Sequence, residues 1–287
     1  MSIVYLNGKF IPAADASISP LDRGFIFADG VYEVIPVYNG HFFRLADHLH
    51  RLDHSLAGIR LAQTLDHTKW KEMLAELVEK NGGGDQSVYI QITRGVAPRD
   101  HAFPDNTSPT IFAMATPLKP ISPEILQHGV AAISVEDIRW KYCHIKSIAL
   151  LPNILLRQQA IDKGAIEAIL IRDGKVTEGA ASNVFIVTAN RILTPPKGPY
   201  LLPGITRDVV LELANDHGIE ALEADISLND LQTADEIWLT SSTREIIPVT
   251  FLDGNPVQAG KPGPLWMRMS QIYQQYKRDI IDPVELV

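Results

Sequence analysis

Only one cysteine, Cys143, occurs in the chain. A lone thiol excludes an internal disulfide and any cysteine-cluster metal site, and it suits a reducing cytoplasm, the expected location. No stretch approaches the roughly 20 consecutive apolar residues that a membrane helix needs. The amino terminus, Met1-Ser-Ile-Val-Tyr-Leu-Asn, lacks a charged region followed by an apolar one, so no signal peptide is expected. Basic runs and stacked aromatic series are missing too. With a formal net charge of −8 at pH 7, general nucleic-acid binding is not expected. There is no internal repeat and no low-complexity tract.

What is present suits a full globular core. An apolar share of 46% with 21% charged residues over 287 positions fits two modest domains sharing an interface, or one large one. Of the nine histidines, four fall close together: His41, His48, His50 and His54. His50 and His54 have the i, i+4 spacing of two zinc ligands. The segment reads His50-Arg-Leu-Asp-His54, however, without the glutamate of the metalloprotease arrangement. These four read as solvated surface histidines, and no metal site is expected.

Periodicity gives a mixed α+β chain. Val4-Tyr-Leu, Asn7-Gly8 and Lys9-Phe-Ile form one expected hairpin, and Val31–Tyr38, Asn39-Gly40 and His41–Arg44 a second. Leu45, Leu49, Leu52, Leu56 and Ile59 mark an amphipathic helix, with Arg51 off the leucine stripe and free to point elsewhere. A helix over Thr68–Lys80 and strands at Ser87–Thr93 and Thr110–Ala115 complete the first half. Thr116-Pro-Leu-Lys-Pro120-Ile-Ser-Pro123 is the best linker. It divides the chain into an N-terminal domain over 1–118, a linker over 119–123 and a C-terminal domain over 124–287. The second half carries strands at Val130–Val135, Glu167–Arg172 and Val184–Thr188, and the turn Asp173-Gly174 joins two of the strands. Helices are expected at Leu150–Lys163, Thr206–His217 and Gly263–Ile280.

Three stretches carry chemistry. Arg94-Gly-Val-Ala-Pro-Arg99-Asp-His101-Ala-Phe-Pro104 cannot be continuous helix or strand, and a strand delivers it as a proline-stiffened loop. Arg-x-His there reads either as a carboxylate clamp or as a solvated basic turn. Cys143-His-Ile-Lys146-Ser147 places a lysine between Ile145 and Ile148. Desolvation of such an amine would make it nucleophilic, though most lysines are simply exposed. Thr177-Glu178-Gly-Ala-Ala-Ser182-Asn183 ends a strand with a carboxylate, which is otherwise a routine surface charge. Cys143 reads as buried filler.

In order and spacing these stretches resemble the D-amino-acid aminotransferases among the fold-type IV pyridoxal-phosphate enzymes. The likeness runs from Tyr5-Leu-Asn-Gly8 to Ser241-Ser242-Thr243. Lys-Ser with a downstream Glu-Gly-x-x-x-Asn marks the superfamily, and Arg-x-His marks the D-amino-acid branch. The resemblance implies a two-domain fold, with a smaller N-terminal α/β sandwich and a larger C-terminal barrel-like domain. It implies pyridoxal 5'-phosphate as cofactor, held as a Schiff base by Lys146, which also carries the proton from Cα to the cofactor's C4′. Glu178 would be the partner of the ring nitrogen, with Asn183 in the same segment and Leu202 packed on the ring. Arg51, the helix-opening amides of Ile205 and Thr206, and Ser241 and Ser242 would hold the phosphate. Each of these donors could equally serve a cap or a loop.

Tyr32, Arg99 and His101 resemble the family's trap for the substrate carboxylate. Family members complete that trap across a homodimer interface. His144 and Ala149 depart from the pattern, and His144 stands close enough in sequence to Lys146 to affect its titration. The expected reaction is ping-pong transamination between D-amino acids and 2-oxo acids, with D-alanine and 2-oxoglutarate giving pyruvate and D-glutamate. A branched-chain L-amino-acid aminotransferase should lack Arg99-x-His101. An aminodeoxychorismate lyase would eliminate pyruvate without exchanging nitrogen. A carboxylate-binding protein that lost the chemistry is the reading outside catalysis.

Overall fold

The computed structural model describes residues 2–281. The chain divides into two compact units. Of the described residues, the first takes those up to Lys119 together with Ile145–Ala149, and the second takes Pro120–His144 and those from Leu150 onward. Reading the sequence in order puts Ile145–Ala149 with the C-terminal residues, whereas this short segment packs in the first unit.

The first unit is built on an antiparallel sheet. Its strands are β1 (Ile3–Leu6), β2 (Lys9–Pro12), β3 (Gly30–Tyr38), β4 (His41–Phe42), β5 (Gln86–Thr93) and β6 (Thr110–Pro117), in the order β2-β1-β6-β5-β3-β4. Both hairpin turns are Asn-Gly with positive φ, 48° and 91° at Asn7-Gly8 and 47° and 81° at Asn39-Gly40. That geometry matches the right-handed twist of the strands and favours these two residue types. Alternation along β3 turns Val31, Glu33, Ile35 and Val37 inward, while Val88, Ile90 and Ile92 do the same on β5. Helix α1 (Arg23–Phe27) precedes β3. Helices α2 (Leu45–Gly58) and α3 (His67–Lys80) cover the inward face with Leu49, Leu52, Leu56, Trp70, Leu74 and Leu77.

The second unit carries β7 (Val130–Glu136), β8 (Glu167–Arg172), β9 (Lys175–Gly179), β10 (Asn183–Thr188), β11 (Arg191–Thr194), β12 (Ala221–Glu223), β13 (Glu236–Ser241), β14 (Glu245–Leu252) and β15 (Asn255–Pro256). The path is β12-β11-β10-β13-β14-β7-β8-β9, with β15 paired to β14. The edge strand β9 returns against β10, so the sheet curls into a half-barrel. Ile169, Val176, Val184, Ile186, Ile237, Leu239 and Val249 form its apolar core. Helix α4 (Pro123–His128) leads into β7, and α5 (Leu151–Asp162) lies between the parallel strands β7 and β8, a connection that parallel pairing requires. Three more helices follow: α6 (Ile205–Asp216), α7 (Leu228–Gln232) and α8 (Pro264–Ile281). Glu236 fixes the start of α8 by accepting the amides of Leu265 at 2.9 Å and Trp266 at 2.8 Å. Among the described residues no helix is long and apolar enough to cross a membrane.

Candidate active site

In the first unit Lys146 is held by its backbone. Its carbonyl accepts the Tyr32 amide at 2.9 Å and its amide donates to Ser55 Oγ at 3.1 Å, while Ser147 bridges to Val31. The side chain remains half-buried, with Nζ 4.2 Å from the centroid of the Tyr32 ring. An aromatic face attracts an ammonium at that range. The Tyr89 ring lies 5.7 Å from Tyr32, and its hydroxyl donates to Gln91 at 2.7 Å. Burial, with Tyr32 beside it, pushes the Tyr89 hydroxyl up to about 12, so it stays a neutral donor.

The opposite face of β3 carries a buried ionic layer. Arg51 donates from Nε and Nη2 to the two Glu33 oxygens, both at 2.8 Å, and His48 Nδ1 meets Glu33 at 2.8 Å. Burial raises the Glu33 carboxyl, but Arg51 and then His48 outweigh it and hold the group well below the carboxylate range. Burial lowers His48 against the pull of Glu33, which keeps the ring neutral at ordinary pH and Nδ1–H as the donor. Two sequence readings are corrected here. His48 is buried rather than solvated, and Arg51 points inward onto Glu33. His48, Arg51 and Ser55 recur at i, i+3, i+7 beside the leucine stripe, and the Glu33 carboxylate offsets the cost of burying the cation. His41, His50 and His54 are exposed as expected. No group of three or more His, Cys, Asp or Glu among the described residues is arranged to hold a metal.

Arg99 and His101 stand on an exposed loop and meet at Phe27, the guanidinium 5.5 Å and the imidazole 5.3 Å from its ring centroid. The structure thus brings these two together, and separately pairs Lys146 with Tyr32. Among the described residues no hydrogen bond or ring contact links the two groups. His144 is exposed, with its ring 6.0 Å from Tyr142.

In the second unit Glu178 is the penultimate residue of β9, at 5% exposure. One of its oxygens accepts from Arg139, and the other accepts the Leu202 amide at 3.0 Å and Asn183 Nδ2 at 3.3 Å. Arg139 is itself anchored by Asp137, through Nε at 2.9 Å and Nη2 at 3.0 Å, and by the Tyr200 carbonyl at 3.0 Å. Burial opposes the charge on Arg139, but Glu178 and Asp137 outweigh it and raise its pKa. Such a carboxylate is fixed in place by a guanidinium and two N–H donors, which suits it to hold a ring N–H. Sequence reading missed Arg139, Asp137 and Glu33. The available signal was a charge in the inward row of β3, and a carboxylate two residues before an arginine at the end of β7.

Asn183 also donates to the Leu202 carbonyl at 2.9 Å. A Cβ on Gly204 would lie 1.9 Å from Asn183 Oδ1, so only glycine permits this approach. Gly204 opens α6 with no side-chain cap, leaving first-turn amides such as those of Ile205 and Thr206 for an anion. Thr240 stands opposite Asn183 on the same face, and its Oγ1 is buried without a partner among the described residues. Ser241 ends β13 and Ser242 begins the turn after it; both are half-buried. The second unit therefore gathers Glu178, Asn183 and Leu202, with Ile205, Thr206, Ser241 and Ser242 on neighbouring elements.

Residues 30–252 match the family model for amino-transferase class IV, and the chain belongs to that family. Its curated relatives narrow the likeness. It is 42% identical to a D-alanine aminotransferase of Bacillus licheniformis over 91% of this chain and 92% of the relative. With a D-alanine aminotransferase of Staphylococcus aureus (strain COL) it shares 38% identity, covering 96% and 98%. Among solved structures, an Escherichia coli branched-chain amino acid aminotransferase superposes with a TM-score of 0.91 at 27% identity, covering 96% of this chain and 94% of that one. A T.th. branched-chain amino acid aminotransferase with pyridoxamine 5'-phosphate gives 0.90 at 25% identity, covering 96% and 93%. This is the two-domain fold-type IV architecture.

Proposed function

We propose that this chain exchanges an amino group between D-amino acids and 2-oxo acids by a pyridoxal-phosphate-dependent, ping-pong reaction, with D-alanine and 2-oxoglutarate giving pyruvate and D-glutamate. Likeness to D-alanine aminotransferases across nearly the whole chain carries this reading. Arg99-x-His101 favours it over branched-chain transamination, the activity of the structural neighbours.

The donor set fits the cofactor. An anionic carboxylate for the ring nitrogen, uncapped helix amides for a phosphate, and the orphaned Thr240 hydroxyl are what such a ligand would use. Glu178 would hold the ring nitrogen, with Asn183 and Leu202 flanking it. Ile205, Thr206, Ser241, Ser242 and Arg51 would hold the phosphate. When bound, the cofactor supplies an electron sink for the electron pair left on Cα. Lys146 would hold the cofactor and, once freed by substrate, would carry the proton between Cα and C4′. Arg139 fixes Glu178, and Tyr32, Arg99 and His101 bind the substrate carboxylate.

The working form is a homodimer in which Arg99 and His101 act near the partner's site. Both loop residues are exposed in the single chain, as are Phe25 (77%), Leu151 (66%) and Ile154 (61%). A reducing cytoplasm is the compartment that the lone buried thiol suggests. Pyruvate release from D-alanine is expected only with an added 2-oxo acid, and L-leucine should be a poor donor. Borohydride trapping should place the pyridoxyl mass on the peptide holding Lys146, and Lys146→Ala should abolish exchange. A label elsewhere, or full turnover by that variant, sinks the assignment.

A further inference from the structure

Two half-buried arginines in the second unit have no hydrogen bond or ion pair with any described residue: Arg157 on α5 and Arg244 in the turn between β13 and β14. The fold brings both to the turn that follows Glu178. Asn153 donates to the Ala180 carbonyl at 2.8 Å, and Arg157 follows Asn153 by one helical turn on the same face. From the other side, Asn183 pairs with Thr240, so continuing that register sets Ser182 beside Ser241 and the Arg244 turn beside Ala180–Ser182. Glu167, 1% exposed, lies at the base of this turn and accepts Ser182 Oγ at 3.1 Å and the Ala168 amide at 3.1 Å.

The charges do not balance. Burial and then the neighbouring Arg157 disfavour the charge on Arg244, with only Glu167 helping it. Burial pushes the Glu167 carboxyl up despite both arginines, so the one acid present is a weak counter-ion. A guanidinium does not deprotonate in proteins, and a desolvated cation without a matched anion is costly. Among the described residues no further acid reaches the pair, which leaves room for the anion of a ligand.

We infer that Arg157 and Arg244 form a subsite for the distal carboxylate of a dicarboxylic amino or oxo acid, beside Ser182 and Ser241. This rests on the transamination reading and assigns residues to its diacid partner, since two guanidinium groups suit the second carboxylate of 2-oxoglutarate or D-glutamate. The cofactor's phosphate is the other anion that could reach Ser241, and the experiment separates the two.

Calorimetric titration of the holoenzyme with glutarate and with butyrate, which cannot react, reads the subsite directly. Glutarate should bind more tightly to the unaltered protein. Arg244→Gln should weaken glutarate by about ten- to a hundredfold, the scale of one charge-assisted hydrogen bond, while changing butyrate by less than about threefold. Arg157→Gln should act in the same direction, and Arg244→Lys should recover part of the loss. Equal weakening of both ligands, no change in either, or no preference for glutarate in the unaltered protein overturns the subsite. So does loss of the bound cofactor's visible absorbance in Arg244→Gln, which would give the arginines to the phosphate. Selective glutarate binding by a holoenzyme that exchanges nitrogen with no D-amino acid would reject the reaction and keep the subsite.

Discussion

Glu178 shows how much a single acidic residue depends on what surrounds it. As a letter it is an acid at a strand end; in the fold it is a buried anion held by Arg139, Asn183 and the Leu202 amide. Removing one partner of a buried ion pair strands the other in a poor solvent for charge. Arg139→Gln should therefore cost about 3–5 kcal/mol of folding stability, with Arg139→Lys recovering part, as read by denaturant unfolding. Cys143 gives the converse case, a residue whose chemistry is suppressed. Burial pushes its thiol up to about 11. Alkylation at pH 8 should be negligible in the folded protein and rapid after unfolding; fast native labelling would contradict the burial.

At the scale of elements, the packing of α2 on β3 combines an apolar stripe with a polar one. The leucine stripe and both Asn-Gly hairpins were legible in sequence because periodicity and turn chemistry are local. Glu33, His48 and Arg51 were not, because their pairing spans a strand and a helix 15 to 18 residues apart. Glu33→Gln leaves the Arg51 guanidinium buried without its bidentate partner, so urea unfolding should show a loss of about 3–5 kcal/mol. The pH dependence has a definite sign. A depressed carboxyl contributes fully above its unfolded pKa of about 4.3 and loses that contribution only as pH falls through its folded value. His48 is also depressed, so the unfolded chain takes up its proton first, near about pH 6.5, and stability declines as pH falls below that point. His48→Asn should flatten the decline between neutral pH and about pH 5; an unchanged slope would place it on other groups.

For the whole molecule, the proposed dimer predicts complementation. Lys146→Ala retains a normal Arg99 loop, and Arg99→Ala retains a normal lysine. Co-expressed as a mixed dimer, the pair should regain one working site, with KM for D-alanine near that of the unaltered protein, if the loop serves the partner. Loop action within its own subunit predicts no recovery beyond that of Arg99→Ala alone. Phe25→Asp, at an exposed apolar position of the first unit, should shift sedimentation toward the monomer.

The residue types, their order and their spacing were enough to nominate a lysine, an acid, phosphate donors and a loop, since catalytic motifs place chemistry at fixed intervals along a strand or turn. They also set the strands and helices, whose periods are written locally. Tertiary structure alone decided which charges face one another. It turned Arg51 onto Glu33, supplied Arg139 to Glu178, moved the segment bearing Lys146 into the first unit, and left Arg157 and Arg244 with no ion pair among the described residues. Electrostatic partners are chosen by distance in space and by the dielectric around them, and neither quantity exists along a one-dimensional chain.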